Sequence, residues 1–196
     1  MKRARIFLTG VGGQGTLTAT KILALTAMDA GLEVTSGEIH GMAQRGGVVE
    51  STILIGGYRS PKISHGEADL LLGFELLETL RALPYLKKGG TIISNSESIL
   101  PPGVAKGVET YPDVDAVAQQ AQSCGLTISF LPCKTLGLKA GAVQSANMVL
   151  LGAFLAKDLL PFGVEALKQS VRTYLKPKLV DLNLHAIDLG VQAASE

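Results

Sequence analysis

The chain of 196 residues contains no tryptophan, and aromatic residues make up only 5% of it. Single-stranded nucleic acid is gripped by aromatic platforms on which bases stack, so that class of partner is excluded first. Charge gives no opening to polyanions either, since 18 basic against 17 acidic residues leave a net charge of +1. Cysteine is scarce: Cys124 and Cys133 are the only two and belong to no C-x-x-C pair, and both are expected to be buried, unlinked thiols. An iron–sulfur cluster takes more thiolates than that, so this chain cannot hold one alone. His40, His65 and His185 are scattered without ligand spacing, which speaks against a metal site. No G-x-S-x-G, H-E-x-x-H or G-x-x-x-x-G-K-[ST] pattern occurs. No apolar run approaches the ~18–20 residues needed to cross a bilayer. Met1, Lys2 and Arg3 lead directly into the first apolar run, without room for a signal peptide, and a cytoplasmic location is expected.

What the sequence has is apolar mass and glycine. Apolar residues make up 46% and glycine occurs 23 times. Mean hydropathy is +0.30, high for a protein that stands alone in water. Without a membrane span, the excess is expected to be buried against another chain, either a partner subunit or a second copy.

The glycines gather in two places. Gly10-Val11-Gly12-Gly13-Gln14-Gly15 follows a short apolar run, Ala4 to Leu8, and precedes Thr16 and a segment with Ala19, Ile22, Leu23, Ala27 and Ala30 at helical spacing. Gly10, Gly12 and Gly15 satisfy G-x-G-x-x-G, in which the missing side chains permit a tight turn and the helix N-terminus favours an anion. Glycines placed this way equally suit close strand-to-helix packing alone. For a dinucleotide, an acid about 20 residues further on should hold the ribose hydroxyls. Glu33 has that spacing but stands at the wrong end of its strand, and Glu38 stands at the right end but late. The second place is His40-Gly41-Met42-Ala43-Gln44-Arg45-Gly46-Gly47. Arg45 offers a fork for carboxylate or phosphate, and Gln44 a neutral donor and acceptor. The loop serves a ligand or orders against a partner subunit, and the residues alone leave both readings open.

Along the chain, strands are expected at 33–39, 48–55, 69–74, 91–94 and 126–131, after the first at 4–8. Helices are expected at 75–86, closed by Gly89-Gly90, and at 113–123, closed by Gly125. Lys87-Lys88 reads as a solvated helix end. Beyond Pro132 the pattern turns mainly helical, with helices at 144–160, 164–175 and 179–191 bounded by Pro161 and Pro177. Strands alternating with helices predict one α/β domain over 1–196. Its core is a Rossmann-like, open, mostly parallel sheet flanked by helices, with a helical C-terminal part. Ligands of such sheets gather beyond the carboxyl ends of the strands, where both glycine-rich loops would lie.

The two loops in tandem resemble the gamma subunit or domain of the 2-oxoacid:ferredoxin oxidoreductases. The run Met42-Ala43-Gln44-Arg45-Gly46-Gly47 is most similar to that of the small beta subunits of indolepyruvate:ferredoxin oxidoreductases. Ala68 to Glu75, Gly90 to Asn95, Asn147 to Gly152 and Asn183 to Gly190 fit the same pattern, so the resemblance spans nearly the whole chain. It implies a non-catalytic subunit of a complex that converts a 2-oxoacid and coenzyme A to acyl-coenzyme A and carbon dioxide and reduces ferredoxin. Thiamine diphosphate, magnesium and iron–sulfur clusters would sit in the partner subunits and none in this chain, which also lacks the G-D-G…N pattern that holds the diphosphate through magnesium. Ferredoxin would be reached only indirectly. The expected binding residues are Gly10, Gly12, Gly13, Gln14, Gly15, Thr16, Gln44, Arg45 and Gly46, contacting coenzyme A or a partner. A free-standing protein that binds NAD or another anionic metabolite, dimeric through its apolar excess, is the alternative.

Overall fold

The computed structural model describes residues 3–40, 47–98 and 110–195. Alternation of apolar residues sets the sheet. Ile6 and Leu8 face one side and Phe7 the other, and the same division separates Leu70 and Leu72 from Leu71, and Ile53 and Ile55 from Leu54. A sheet covered on both faces needs central strands that are mainly apolar, and the runs Ala4–Val11 and Ala68–Gly73 meet that need.

Strands β1 (Ala4–Val11), β2 (Val34–His40), β3 (Val48–Ile55), β4 (Ala68–Gly73), β5 (Leu86–Asn95) and β6 (Thr127–Leu131) form one sheet. Their order is β2-β3-β1-β4-β5-β6. β1, β4, β5 and β6 pair in parallel. β3 runs antiparallel to both its neighbours, so that β2 again points with the parallel set. The sheet is thus mostly parallel, with one reversed strand that alternation alone does not announce.

The first face is covered by α1 (Thr16–Asp29), α5 (Ala146–Leu155), α6 (Val164–Tyr174) and α7 (Pro177–Ser195), after the short α4 (Cys133–Ala140). Every residue of α5 from Asn147 to Leu155 is buried, which makes it the central helix and not a one-faced surface helix. It crosses α7 with backbones touching. A Cβ at Gly190 would lie 2.0 Å from the Val149 carbonyl oxygen, and one at Gly152 would lie 2.3 Å from that of Ile187. The second face carries α2 (Leu76–Ala82) and α3 (Val114–Ser123), with Ala82, Leu83, Ala121 and Leu126 packed on Phe7, Leu71 and Ile92.

Five expectations are corrected. The helix foreseen over 75–86 ends at Ala82, where Pro84 enters a 3₁₀ turn (Leu83–Tyr85). Gly89 and Gly90 then lie inside β5, beside a shift in its register with β4, and terminate nothing. Lys87 is therefore a strand residue whose ammonium pairs with Asp69, not a helix end. The helix foreseen over 144–160 runs only from Ala146 to Leu155, and Asp158 adopts a left-handed φ of 52° that turns the chain away. Of the two cysteines, Cys133 is buried as expected but Cys124, the C-cap of α3, is exposed.

Candidate functional site

The carboxyl ends of β1, β4 and β5 meet the N-termini of α1 and α4, and the glycine-rich turn lies between them. Gly10 is required by crowding, because a Cβ there would stand 2.6 Å from Gln14 Oε1 and 2.8 Å from Phe74 Cβ. Gln14 folds back over it, and its Oε1 accepts the Val11 N–H at 2.9 Å. Gly15 is the N-cap of α1 at φ 78°, a conformation that costs glycine nothing. It leaves the first turn of α1 without a side-chain cap. The Gly15 carbonyl accepts Asn147 Nδ2 at 3.2 Å, and a Cβ at Gly15 would strike that amide at 2.5 Å.

Two buried polar atoms here have no partner among the described residues: Gln14 Nε2 and Thr16 Oγ1. Thr16 is only 2% exposed. A buried hydroxyl or amide left unpaired costs on the order of 1–3 kcal/mol, so a pair of them at an uncapped helix start marks a place where hydrogen bonds are held in reserve.

The turn borders a cleft of about 300 Å³, lined also by Phe74, Asn95, Cys133, Lys134, Gln144 and Asn147. Asn95 ends β5 and ties the strand ends together. Its Nδ2 donates to the carbonyls of Phe74 at 3.3 Å and Glu97 at 2.9 Å, and its Oδ1 accepts from Cys133 N at 3.1 Å. Burial, and then the charge of Glu97, push the Cys133 thiol far above its usual range, so it stays protonated and is no nucleophile. The N-terminus of α4 is already answered by Glu97, whose carboxylate accepts Thr135 N at 2.8 Å and Thr135 Oγ1 at 2.6 Å. On the other side of Gln144 and Asn147 a second hollow of about 440 Å³ runs along Met148, Leu175, Leu179 and Leu182. Gly13 and Gln14 border both hollows, so a ligand anchored at the turn can extend into either.

The structure joins the two loops singled out in the sequence. Gly12 N–H donates to the carbonyl of Gly47, the last residue of the second loop, at 2.9 Å. Gln44, Arg45 and Gly46 lie outside the described residues. Asn95, Asn147, Gln144 and Lys134 were not foreseen as site residues; the available signal was an asparagine closing the apolar run Thr91 to Ser94. Among the described residues no group of three histidine, cysteine or acidic side chains converges on a metal position. The separated Cys124 and Cys133 do not fit an iron–sulfur cluster. No described helix is long and apolar enough to cross a membrane.

A dinucleotide site fits less well. In that fold the acid for the ribose ends the strand next to β1. Here β3 occupies that place, and β2, which carries Glu38, is one strand further out.

Known proteins resemble this chain along nearly its whole length. An indolepyruvate oxidoreductase subunit IorB from Archaeoglobus fulgidus is 39% identical over 98% of this chain and 96% of its own length. The IorB of Pyrococcus horikoshii is 40% identical over 100% of this chain and 98% of its own. Among solved structures, the gamma subunit of a keto/oxoacid ferredoxin oxidoreductase from Geobacter sulfurreducens has the same fold. It superposes with a TM-score of 0.70 at 24% identity and covers 98% of both chains. The family model described as pyruvate ferredoxin/flavodoxin oxidoreductase matches residues 5–193, from the start of β1 to the last turns of α7, and the chain belongs to that family.

Proposed function

We propose that this chain is the small, gamma-type subunit of a thiamine-diphosphate-dependent 2-oxoacid:ferredoxin oxidoreductase acting on indolepyruvate and related aryl pyruvates. The reaction joins the 2-oxoacid to coenzyme A. The carboxylate leaves as carbon dioxide, the acyl group forms a thioester with the thiol, and one proton and a pair of electrons are released, the electrons to ferredoxin. Thiamine diphosphate, magnesium and iron–sulfur clusters belong to the larger partner subunit, and this chain reaches ferredoxin only through it. The observation that carries the reading is the near end-to-end likeness, at 39 and 40% identity, to subunits of indolepyruvate oxidoreductases.

Its direct contribution is to hold the diphosphate of coenzyme A. The uncapped start of α1 supplies backbone N–H groups, Thr16 Oγ1 and Gln14 Nε2 supply the reserved partners, and exposed Lys134 stands at the mouth of the cleft. Arg45, with Gln44 and Gly46, would add its fork from the second loop. Anoxic affinity purification of the chain from its native host tests the subunit reading. It should bring down a larger brown subunit containing thiamine and iron, active on indolepyruvate with coenzyme A; a colourless lone chain overturns it. Within that complex, Thr16→Val removes the hydroxyl without changing the shape of the side chain. It should raise the KM for coenzyme A by about three- to tenfold, the worth of one hydrogen bond, without lowering the unfolding midpoint. An unchanged KM removes the turn from the coenzyme site. Arg45→Ala is expected to act in the same direction.

A further inference from the structure

On the second face of the sheet the β2–β3 half is crossed by residues 56–67, and a cavity of about 580 Å³ opens beneath them. The register explains what lines it. Phe7 pairs with Thr52 and Thr52 with Gly37, while Glu50 pairs with Ile39, so these side chains share one face. Gly37 is small because the crossing segment rests on it: a Cβ there would lie 2.7 Å from Pro61 Cβ. Thr52 Oγ1 fastens the segment by donating to the Pro61 carbonyl at 2.7 Å. The far wall is aromatic. The Phe7 and Tyr85 rings stack at 4.3 Å, and His65 meets Tyr85 edge-on at 4.7 Å.

Glu50 is the anomaly in this wall. It is half-buried, and its neighbours in the cavity are Ile39, Ile63, the aromatic rings, Ser64 and Lys62; among the described residues its carboxylate makes no hydrogen bond or ion pair, with Lys62 or any other side chain. Burial alone raises its pKa from the usual carboxylate value. A carboxylate desolvated without compensation is an energetic debt that a cation seated in the same cavity would cancel. The apolar exposure does not stop at the cavity rim. Ile39 is 68% exposed on the edge strand, and around that edge Met28 and Leu17 of α1 are exposed as well. Large apolar side chains exposed at the rim and along this edge suit a protein surface better than a small molecule.

We propose that the cavity receives an arginine or lysine side chain from the larger, catalytic subunit, its charge on Glu50 and its apolar neighbours on Ile39 and Ile63. A guanidinium would also find the aromatic wall it stacks on. The proposal rests on the subunit reading above and is tested with the full chain and the larger subunit, produced together and separately under anoxic conditions. Glu50→Gln and Ile39→Ser should each raise the dissociation constant for the larger subunit by about tenfold or more. The isolated Glu50→Gln chain should meanwhile be at least as stable as the parent at neutral pH, because the variant removes an unpaired, desolvated charge. The opposite signs separate a docking role from a structural one: affinity and stability falling together, or an unchanged dissociation constant in both variants, overturns the proposal. An isolated chain that dimerises, and that Glu50→Gln makes monomeric, would assign the surface to a second copy and overturn it too. Failure of the parent chain itself to bind the larger subunit brings down the subunit reading, and this proposal with it.

Discussion

The two cysteines show how far apart identical residues can be placed. Cys133 starts α4 beneath the glycine-rich turn, buried and with its thiol pushed far up in pKa by burial and by Glu97. Cys124 caps the end of α3 in the open. The thiolate is the reactive form, so the two should react in sequence. A disulfide-exchange reagent added to the native chain should titrate Cys124 promptly and Cys133 only after unfolding. Both reacting together in the native state would contradict the burial of Cys133. The sequence reading places both inside because an isolated cysteine is a good core residue and nothing local tells the two apart. The same limit applies to Asn95 and Asn147, whose roles depend on partners far away in the chain, Cys133 and Gly15. The turn at Gly10–Gly15 is legible because its reasons are local: left-handed φ values at Gly13 and Gly15, and a side chain folded back from Gln14.

At the level of elements, the apolar pattern marks each strand, with β3 placed to the residue, Val48 to Ile55, but it captures only the second half of β5, which begins at Leu86. What alternation does not carry is direction, so the reversal of β3 had no signal within the strand. Glycine marks a helix end at Gly125, which follows the last turn of α3 at a φ of 70°, but not at Gly89 and Gly90. Those two lie inside β5 beside its shift in register with β4 and end no helix. The pair Gly152 and Gly190 has a different task, the contact between α5 and α7. Gly190→Ala would drive a methyl group to 2.0 Å from the Val149 carbonyl oxygen, and the neighbour is main chain that no rotamer change can move aside. The helices must part, opening the core around Val149, Ala186 and Ile187. A loss of about 3 kcal/mol is expected from overpacking of this kind, seen as a lower urea midpoint with little change in slope. A variant as stable as the parent would mean that α5 and α7 do not touch through these glycines.

For the molecule as a whole, the reversed β3 has two consequences that pull in one direction. It moves the sheet edge out to β2, where exposed Ile39 and the cavity holding Glu50 face outwards. It also takes away the position that would hold a ribose. Neighbouring strands are about 4.8 Å apart, so β2 lies roughly 10 Å from β1 instead of beside it. Glu38 at the end of β2 is carried that much further from the glycine-rich turn. On the reading proposed above, a diphosphate on the turn would take its hydrogen bonds from α1, Thr16 and Gln14 whatever sugar it carries, but the acid that selects the NAD ribose is out of reach. Titration of the isolated chain with NAD or NADH, followed calorimetrically, should therefore give no saturable binding up to about 1 mM, a free energy of only about 4 kcal/mol. Micromolar binding would show that a loop or side chain bridges the extra strand, and it would return the free-standing nucleotide-binding alternative to first place.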